Sequence, residues 1–323
     1  MPLSRPRIAV LTSGGDAPGM NAAIRSVVRS AIHAGADTVG IERGYEGLLE
    51  RRFRPLTISD VGGVLDRGGT FLGTSRCERF KTPEGIAEAA AILKSADVTG
   101  LVVVGGDGSY RGAQKLAEAG IPTVGLPGTI DNDIAGTDTS IGFDTALNTV
   151  VEAVYKIRDT ASSHARTFVI EVMGRTSGIL ATYAGLAAGG DCILVPEIDW
   201  CLEDVCKSVD LGIRRGKKHS IIILAEGAGN GFGVANDMQI YCGHDVRAVV
   251  LGHVQRGGSP SAFDRILASR LGEKAVCALL GGESSVAVGL RGANMHAYPF
   301  TEALESPHKL RRDVFQLAGV LAQ

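Results

Sequence analysis

The chain has 323 residues, 45% of them hydrophobic and 21% charged, a balance that fits a globular protein with a sizeable core and one or two domains. A formal net charge of −2, the lack of any apolar stretch of membrane-spanning length, and an opening Met-Pro-Leu-Ser-Arg-Pro-Arg without an apolar signal core set aside nucleic acid, membrane and export as expectations. The six cysteines, at positions 77, 192, 201, 206, 242 and 277, form no Cys-x-x-Cys pair or zinc spacing and read as scattered reduced thiols of a cytoplasmic protein.

Short runs of β-forming residues alternate with helical patterns, which places strands near 7–12, 38–42, 100–104, 122–126, 167–172, 191–195, 220–225, 247–251 and 285–290. That alternation predicts an α/β fold with mostly parallel sheets. Continuously apolar strands such as Ile221-Ile222-Ile223-Leu224 fit burial under helices on both faces. No linker rich in Pro or Ser marks a domain boundary.

The first strand, Arg7-Ile8-Ala9-Val10-Leu11, leads into Thr12-Ser13-Gly14-Gly15-Asp16-Ala17-Pro18-Gly19 and a helix from about Asn21 to His33. A second unit of the same kind runs from Leu101-Val102-Val103-Val104 through Gly105-Gly106-Asp107-Gly108-Ser109 into a helix containing Ala113, Leu116 and Ala117. Helix amino ends present unpaired N–H groups and partial positive charge, and glycines let a phosphate approach the backbone closely. Asp107 then stands where a phosphate-bound Mg²⁺ needs an oxygen ligand. The same glycines equally suit a tight turn that only needs positive φ. No P-loop pattern occurs, because Gly216-Lys217 is followed by Lys218 rather than Ser or Thr.

A third turn, Pro127-Gly128-Thr129-Ile130-Asp131-Asn132-Asp133, follows the apolar run Pro122-Thr123-Val124-Gly125-Leu126. Two carboxylates so spaced can converge on one small volume, one taking a proton from a substrate hydroxyl while the other steadies the base or a metal. Taken alone, an Asp-Asn-Asp turn is more often a solvated Asx turn. Two glycine-led units in the same chain tilt the reading toward chemistry.

Together with Arg67-Gly68-Gly69-Thr70-Phe71-Leu72-Gly73, Glu171-Val172-Met173-Gly174-Arg175 and Leu251-Gly252-His253-Val254-Gln255-Arg256-Gly257-Gly258-Ser259-Pro260, these blocks resemble the bacterial 6-phosphofructokinase family. They run in family order from residue 7 to about 290, and the tail after Arg291 departs from the pattern. The resemblance implies two similar Rossmann-like α/β domains, 1–141 plus 254–304 binding ATP and 142–253 plus 305–323 binding fructose 6-phosphate. The active-site cleft would lie between them, at the carboxyl ends of the strands.

The implied reaction moves the ATP γ-phosphoryl group to the 1-hydroxyl of fructose 6-phosphate, which needs alignment and charge neutralisation more than covalent catalysis. By position in the matching motifs, Asp131 is the base, Thr129 and Asp133 arrange substrate and metal, and Asp107 holds Mg²⁺. Gly15, Arg76, Cys77, Gly106, Gly108 and Ser109 are the other nucleotide contacts. Arg76 and Arg175 oppose charge on the moving group, since a guanidinium donates two parallel bonds to phosphate oxygens. Met173, Gly174, Glu226, His253 and Arg256 hold the sugar phosphate. Arg166 and Arg247 come from a neighbouring subunit, which implies a homotetramer.

In the pyrophosphate-using branch the positions of Gly108 and Gly128 typically carry Asp and Lys; glycine at both favours ATP as donor. The resemblance also implies an ADP or phosphoenolpyruvate effector site at Arg25, Arg29, Arg158, Asp191, Arg215, Lys217, Lys218 and His219. Arg25 and Arg29, four apart on the first helix, share a flank expected to be open to solvent. The cations of 214–219 also suit the carboxyl end of a helix closing at Gly216. Ile58 and Gly63 stand where the family's effector loop often has Arg and Asp, and Asp191 replaces a longer Glu. A pyrophosphate-dependent enzyme, a non-catalytic nucleotide sensor, and a kinase of NAD or lipids are the alternatives.

Overall fold

In the computed structural model, which describes residues 5–305 and 310–322, the elements follow the predicted alternation. The first part of the chain forms β1 (Arg7–Thr12), α1 (Met20–His33), β2 (Asp37–Ile41), α2 (Gly44–Leu49), β3 (Phe53–Pro55), α3 (Pro83–Ser95), β4 (Gly100–Gly105), α4 (Asp107–Glu118) and β5 (Thr123–Pro127). Then come α5 (Phe143–His164), β6 (Thr167–Val172), α6 (Ile179–Ala188), β7 (Cys192–Leu194), α7 (Leu202–Arg214), β8 (Ser220–Ala225), α8 (Gly231–Cys242) and β9 (Val246–Val250). The last stretch holds α9 (Ala262–Leu280), β10 (Val286–Arg291), β11 (Asn294–Pro299), α10 (Phe300–Glu305) and α11 (Arg312–Leu321). The first four residues read above for targeting, and part of the divergent tail, lie outside the described residues.

The chain divides into two compact units, one of Met1–Thr129, Asp133–Asp144 and Arg256–His308, the other of Ile130–Asn132, Thr145–Gln255 and Lys309–Gln323. Residues 130–132 thus group with the second unit while the turn on either side belongs to the first.

The first unit is built on a seven-stranded sheet in the order β11-β10-β5-β4-β1-β2-β3. The strands from β10 to β2 are parallel, so β1, β4 and β5 end on the same edge, where the three polar turns begin. Backbone bonds tie those turns together: Ser13 N–H donates to Val104 O at 3.0 Å and Gly128 N–H to Gly105 O at 3.0 Å. Two strands were not expected from sequence, β3 and β11, both antiparallel and both at an edge of the sheet. The former is three residues ending in proline and the latter reads Asn-Met-His-Ala-Tyr-Pro, so neither shows a continuous apolar run; pairing with a formed neighbour makes them strands.

The second unit has a four-stranded parallel sheet, β7-β8-β6-β9, with α7 and α8 packed on a core that includes Val169, Val209, Ile222, Leu224 and Met238. Here one expectation is corrected. Cys206 of α7 and Cys242 of α8 are joined in a disulfide across 6.1 Å between Cα atoms, while Cys77, Cys192, Cys201 and Cys277 are free. The pair lies 36 residues apart, a spacing no short motif encodes, and is brought together by the packing of two helices. Among the described residues, no helix is long and apolar enough to cross a membrane.

Candidate active site

In the first unit, α4 starts directly at the end of β4, and Gly106 provides an extended residue before the helix. Glycine is required at 105, because a Cβ there would collide with the Ser109 hydroxyl and with Ser13 O. Position 108 is different: a Cβ would meet nothing within 4 Å, so packing does not require glycine there. The first turn of α4 is anchored from below by Tyr45, whose hydroxyl donates to Ser109 O at 2.6 Å and whose ring stacks on Phe80 at 3.9 Å. Burial pushes the Tyr45 phenol well above its usual range, so it stays a neutral donor.

Asp107 projects from that first turn, 43% exposed, and pairs with Arg111 one turn on at 3.1 Å. Among the described residues no group of three or more His, Cys, Asp or Glu side chains is placed to hold a metal ion. The single half-exposed Asp107 carboxylate at a helix amino end fits Mg²⁺, which keeps several waters and takes one or two carboxylates plus substrate phosphates.

Gly15 faces Arg256, and a Cβ at 15 would collide with Nη1 of that guanidinium, which donates to Asp16 O at 3.0 Å. The candidate nucleotide turn and a candidate sugar-phosphate cation are therefore in contact. Arg76 is exposed, whereas the Cys77 side chain packs against the core of the unit, which leaves its backbone for any ligand. Gly128 is confined, with a Cβ meeting Met20 Cε and Val104 Cγ1 at 3.0 Å each. Thr129 is buried; its N–H donates to Ile141 O at 3.1 Å and its carbonyl accepts from the Ser140 hydroxyl at 2.7 Å. Asp133 is half-buried.

In the second unit, Asp131 is 3% exposed, and its carbonyl accepts from the Ser177 hydroxyl at 3.5 Å. Glu226, just after β8, accepts at Oε1 from two N–H groups in the turn after β6, Gly174 at 3.2 Å and Arg175 at 2.7 Å. This carboxylate holds a turn in which Gly174 has φ +144°, open to glycine, and Arg175 has φ +55°, a conformation that a side-chain-bearing residue seldom adopts. It is not the water-facing strand-end group that an isolated glutamate would be. Met173 is buried and donates its N–H to Gln255 Oε1 at 3.1 Å. His253 is exposed rather than packed.

Arg166 and Arg247 converge on one partner, Asp245, at 2.7 and 3.1 Å. Sequence reasoning missed both Asp245 and Gln255. The glutamine stands inside the quoted Leu251 to Pro260 block, so a signal existed; the aspartate is an ordinary loop residue and gave none.

Of the effector candidates, Lys217 Nζ reaches Asp191 Oδ1 and Ala322 O, both at 2.7 Å, and Asp191 Oδ2 accepts from Ile221 N–H at 2.7 Å. Arg158 donates to Ala188 O and Gly189 O at the carboxyl end of α6. A cavity of about 400 Å³ is lined by Asp191, Ser208, Arg215, Lys217 and Ala322 among others. Lys218 and His219 do not line it, and Arg25 and Arg29 on α1 are half-buried, less open than expected.

Comparison with known proteins places these features in a family. The family model described as Phosphofructokinase matches residues 7–279. The chain is 54% identical to the ATP-dependent 6-phosphofructokinase of Halalkalibacterium halodurans over 98% of its own length and 99% of the relative's. It is 52% identical to that of Clostridioides difficile over the same shares. Among solved structures it superposes on phosphofructokinase from Saccharomyces cerevisiae with a TM-score of 0.88 at 38% identity, covering 93% of this chain but only 45% of the yeast chain. A pyrophosphate-dependent phosphofructokinase from Marinobacter aquaeolei, at 22% identity, TM-score 0.86 and coverage of 97% and 91%, shares the fold. With most of its length matched by the family model and half its residues identical to those of full-length relatives, this chain belongs to the phosphofructokinase family.

Proposed function

We propose that the protein is an ATP-dependent 6-phosphofructokinase, which phosphorylates the 1-hydroxyl of fructose 6-phosphate and releases fructose 1,6-bisphosphate and ADP. The observation that carries the reading is the pair of turns at the ends of β4 and β5. The amino end of α4, suited to phosphates, and the Pro127 turn, which leads to Asp131, are joined by the bond from Gly128 N–H to Gly105 O. In this reading the first unit takes ATP and the second takes the sugar phosphate.

Asp131 accepts the proton of the attacking hydroxyl, and its burial keeps competing water from the carboxylate. Thr129, anchored through both its backbone groups, and Asp133 orient the acceptor and the nucleotide. The guanidinium groups of Arg76 and Arg175 balance charge as it spreads over the transferring oxygens. Asp107 would hold Mg²⁺, which on arrival with ATP supplies a Lewis acid for the phosphate charge. Met173, Gly174, Arg175, Glu226, His253 and Arg256 bind the sugar phosphate, with Arg166 and Arg247 lent by a neighbouring subunit of a homotetramer. The Gly108 opening favours ATP over pyrophosphate, since no side chain fills that volume. An anionic effector at the Lys217 cavity and a cytoplasmic location complete the proposal.

The test is formation of fructose 1,6-bisphosphate from fructose 6-phosphate with MgATP or Mg-pyrophosphate, in the wild type and in Asp131→Ala. Turnover with ATP that falls about 10²–10⁴-fold in the variant, with fructose 6-phosphate binding retained, is the expected result. Pyrophosphate used in preference to ATP, or full turnover without the carboxylate, would overturn the assignment.

A further inference from the structure

The segment that delivers Arg76 and Cys77 has no secondary structure from residue 67 to 77 and yet is bonded along much of its length. Asn21, in the first turn of α1 and 1% exposed, uses its whole carboxamide on it. Nδ2 donates to Arg67 O at 3.0 Å and to Gly68 O at 3.1 Å, and Oδ1 accepts from Phe71 N–H at 2.8 Å. Downstream, the Thr12 hydroxyl bonds Thr70 Oγ1 at 2.8 Å and Gly73 O at 3.0 Å, and the Thr74 hydroxyl donates to Gly14 O at 2.8 Å. Asn21 is the member of this set that fixes three backbone groups at once.

We infer that Asn21 is a positioning residue for the nucleotide side of the reaction: it sets the path of residues 67–74 and so delivers Arg76 to the phosphates. The inference rests on the reading of Arg76 given above. An asparagine is required because the site asks for two donors and one acceptor on a planar group of that length. Packing alone would be met by leucine or methionine. The position lies six residues beyond Gly15 and two beyond the N-cap Gly19, so the first turn of α1 joins the Gly14–Gly15 turn to the 67–74 segment.

The experiment compares Asn21→Asp with the wild type in the full chain. Aspartate keeps the acceptor for Phe71 N–H but turns an oxygen toward the Arg67 and Gly68 carbonyls. Amide hydrogen exchange should speed up across 68–77 and stay unchanged in the strands, while KM for ATP rises about tenfold and KM for fructose 6-phosphate stays within about twofold. Unchanged exchange in that segment overturns the inference, and so does faster exchange with unaltered KM for ATP. Asn21→Ala, which removes all three bonds without adding charge, replaces the aspartate variant if that one does not fold. Arg76→Ala separates the two readings. Wild-type ATP kinetics there would overturn the role of Arg76 itself, whereas a nucleotide defect in Arg76→Ala with none in Asn21→Asp overturns only the role of Asn21.

Discussion

Replacing Gly108 by Asp isolates the electrostatics of the nucleotide turn from its folding. Residue 108 lies in the first turn of α4, has no positive φ, and offers a Cβ nothing within 4 Å. A carboxylate there meets the positive end of the helix, worth about 0.3–1 kcal/mol in its favour. Exchange of glycine for aspartate, itself a weak helix former, adds about 0.3 kcal/mol more. The variant should therefore melt at or above the wild-type temperature.

The nucleotide experiences the opposite. A charge about 4 Å from a phosphate oxygen costs about 1 kcal/mol in a fully aqueous setting and about 4 kcal/mol at the effective dielectric of a protein surface. At about 1.4 kcal/mol per tenfold, KM for ATP should rise by roughly 5- to 10³-fold. Gly108→Ala adds volume without charge and should stay close to the wild type. Initial rates of fructose 1,6-bisphosphate formation over a range of MgATP, with a thermal melt of each variant, supply both halves. An aspartate variant with wild-type KM for ATP would refute the placement of ATP phosphates at this turn, whatever its melting temperature.

Two further outcomes follow from the interior. Burial raises the phenols of Tyr45, Tyr110 and Tyr298, so above about pH 10 the unfolded chain ionises where the folded one does not. Stability is untouched below that pH and falls above it by about 1.4 kcal/mol per unit for each phenol. Tyr45→Phe should remove about a third of that slope, and urea melts from about pH 9 to 12 that decline in parallel for both proteins would contradict it. At Glu226, Ala leaves the Gly174 and Arg175 N–H groups without their acceptor and should cost about 1–3 kcal/mol with a raised KM for fructose 6-phosphate. Glu226→Gln keeps an acceptor oxygen and should lose less than half as much; equal losses in denaturant melts would mean that the carboxylate does not hold the turn.

Strands such as β4 and β8 were legible because they are short, nearly continuous apolar runs, a pattern that burial on both faces imposes on the residues themselves. The edge strands β3 and β11 escaped because they acquire their structure from a neighbour's free hydrogen bonds, and the Cys206 to Cys242 disulfide because only the packing of α7 on α8 makes the two residues adjacent. Within the motifs, sequence identified the polar residues but not the division of labour among them. Asn21 and Gln255 spend their side chains on backbone, and nothing in their type distinguishes them from the candidate ligand contacts a few positions away.

Glu226 shows why that division is blurred. Both of the bonds that hold the turn fall on Oε1, from the N–H groups of Gly174 and Arg175, two residues with positive φ. In the proposed reading, Oε2 is the oxygen that accepts a sugar hydroxyl. If the proposed sugar contact holds, one carboxylate shapes the turn and contacts the substrate, and a substitution at 226 then alters both. The melting difference between Glu226→Ala and Glu226→Gln measures the first contribution. The change in KM that remains in Glu226→Gln, where the turn still has its acceptor, measures the second.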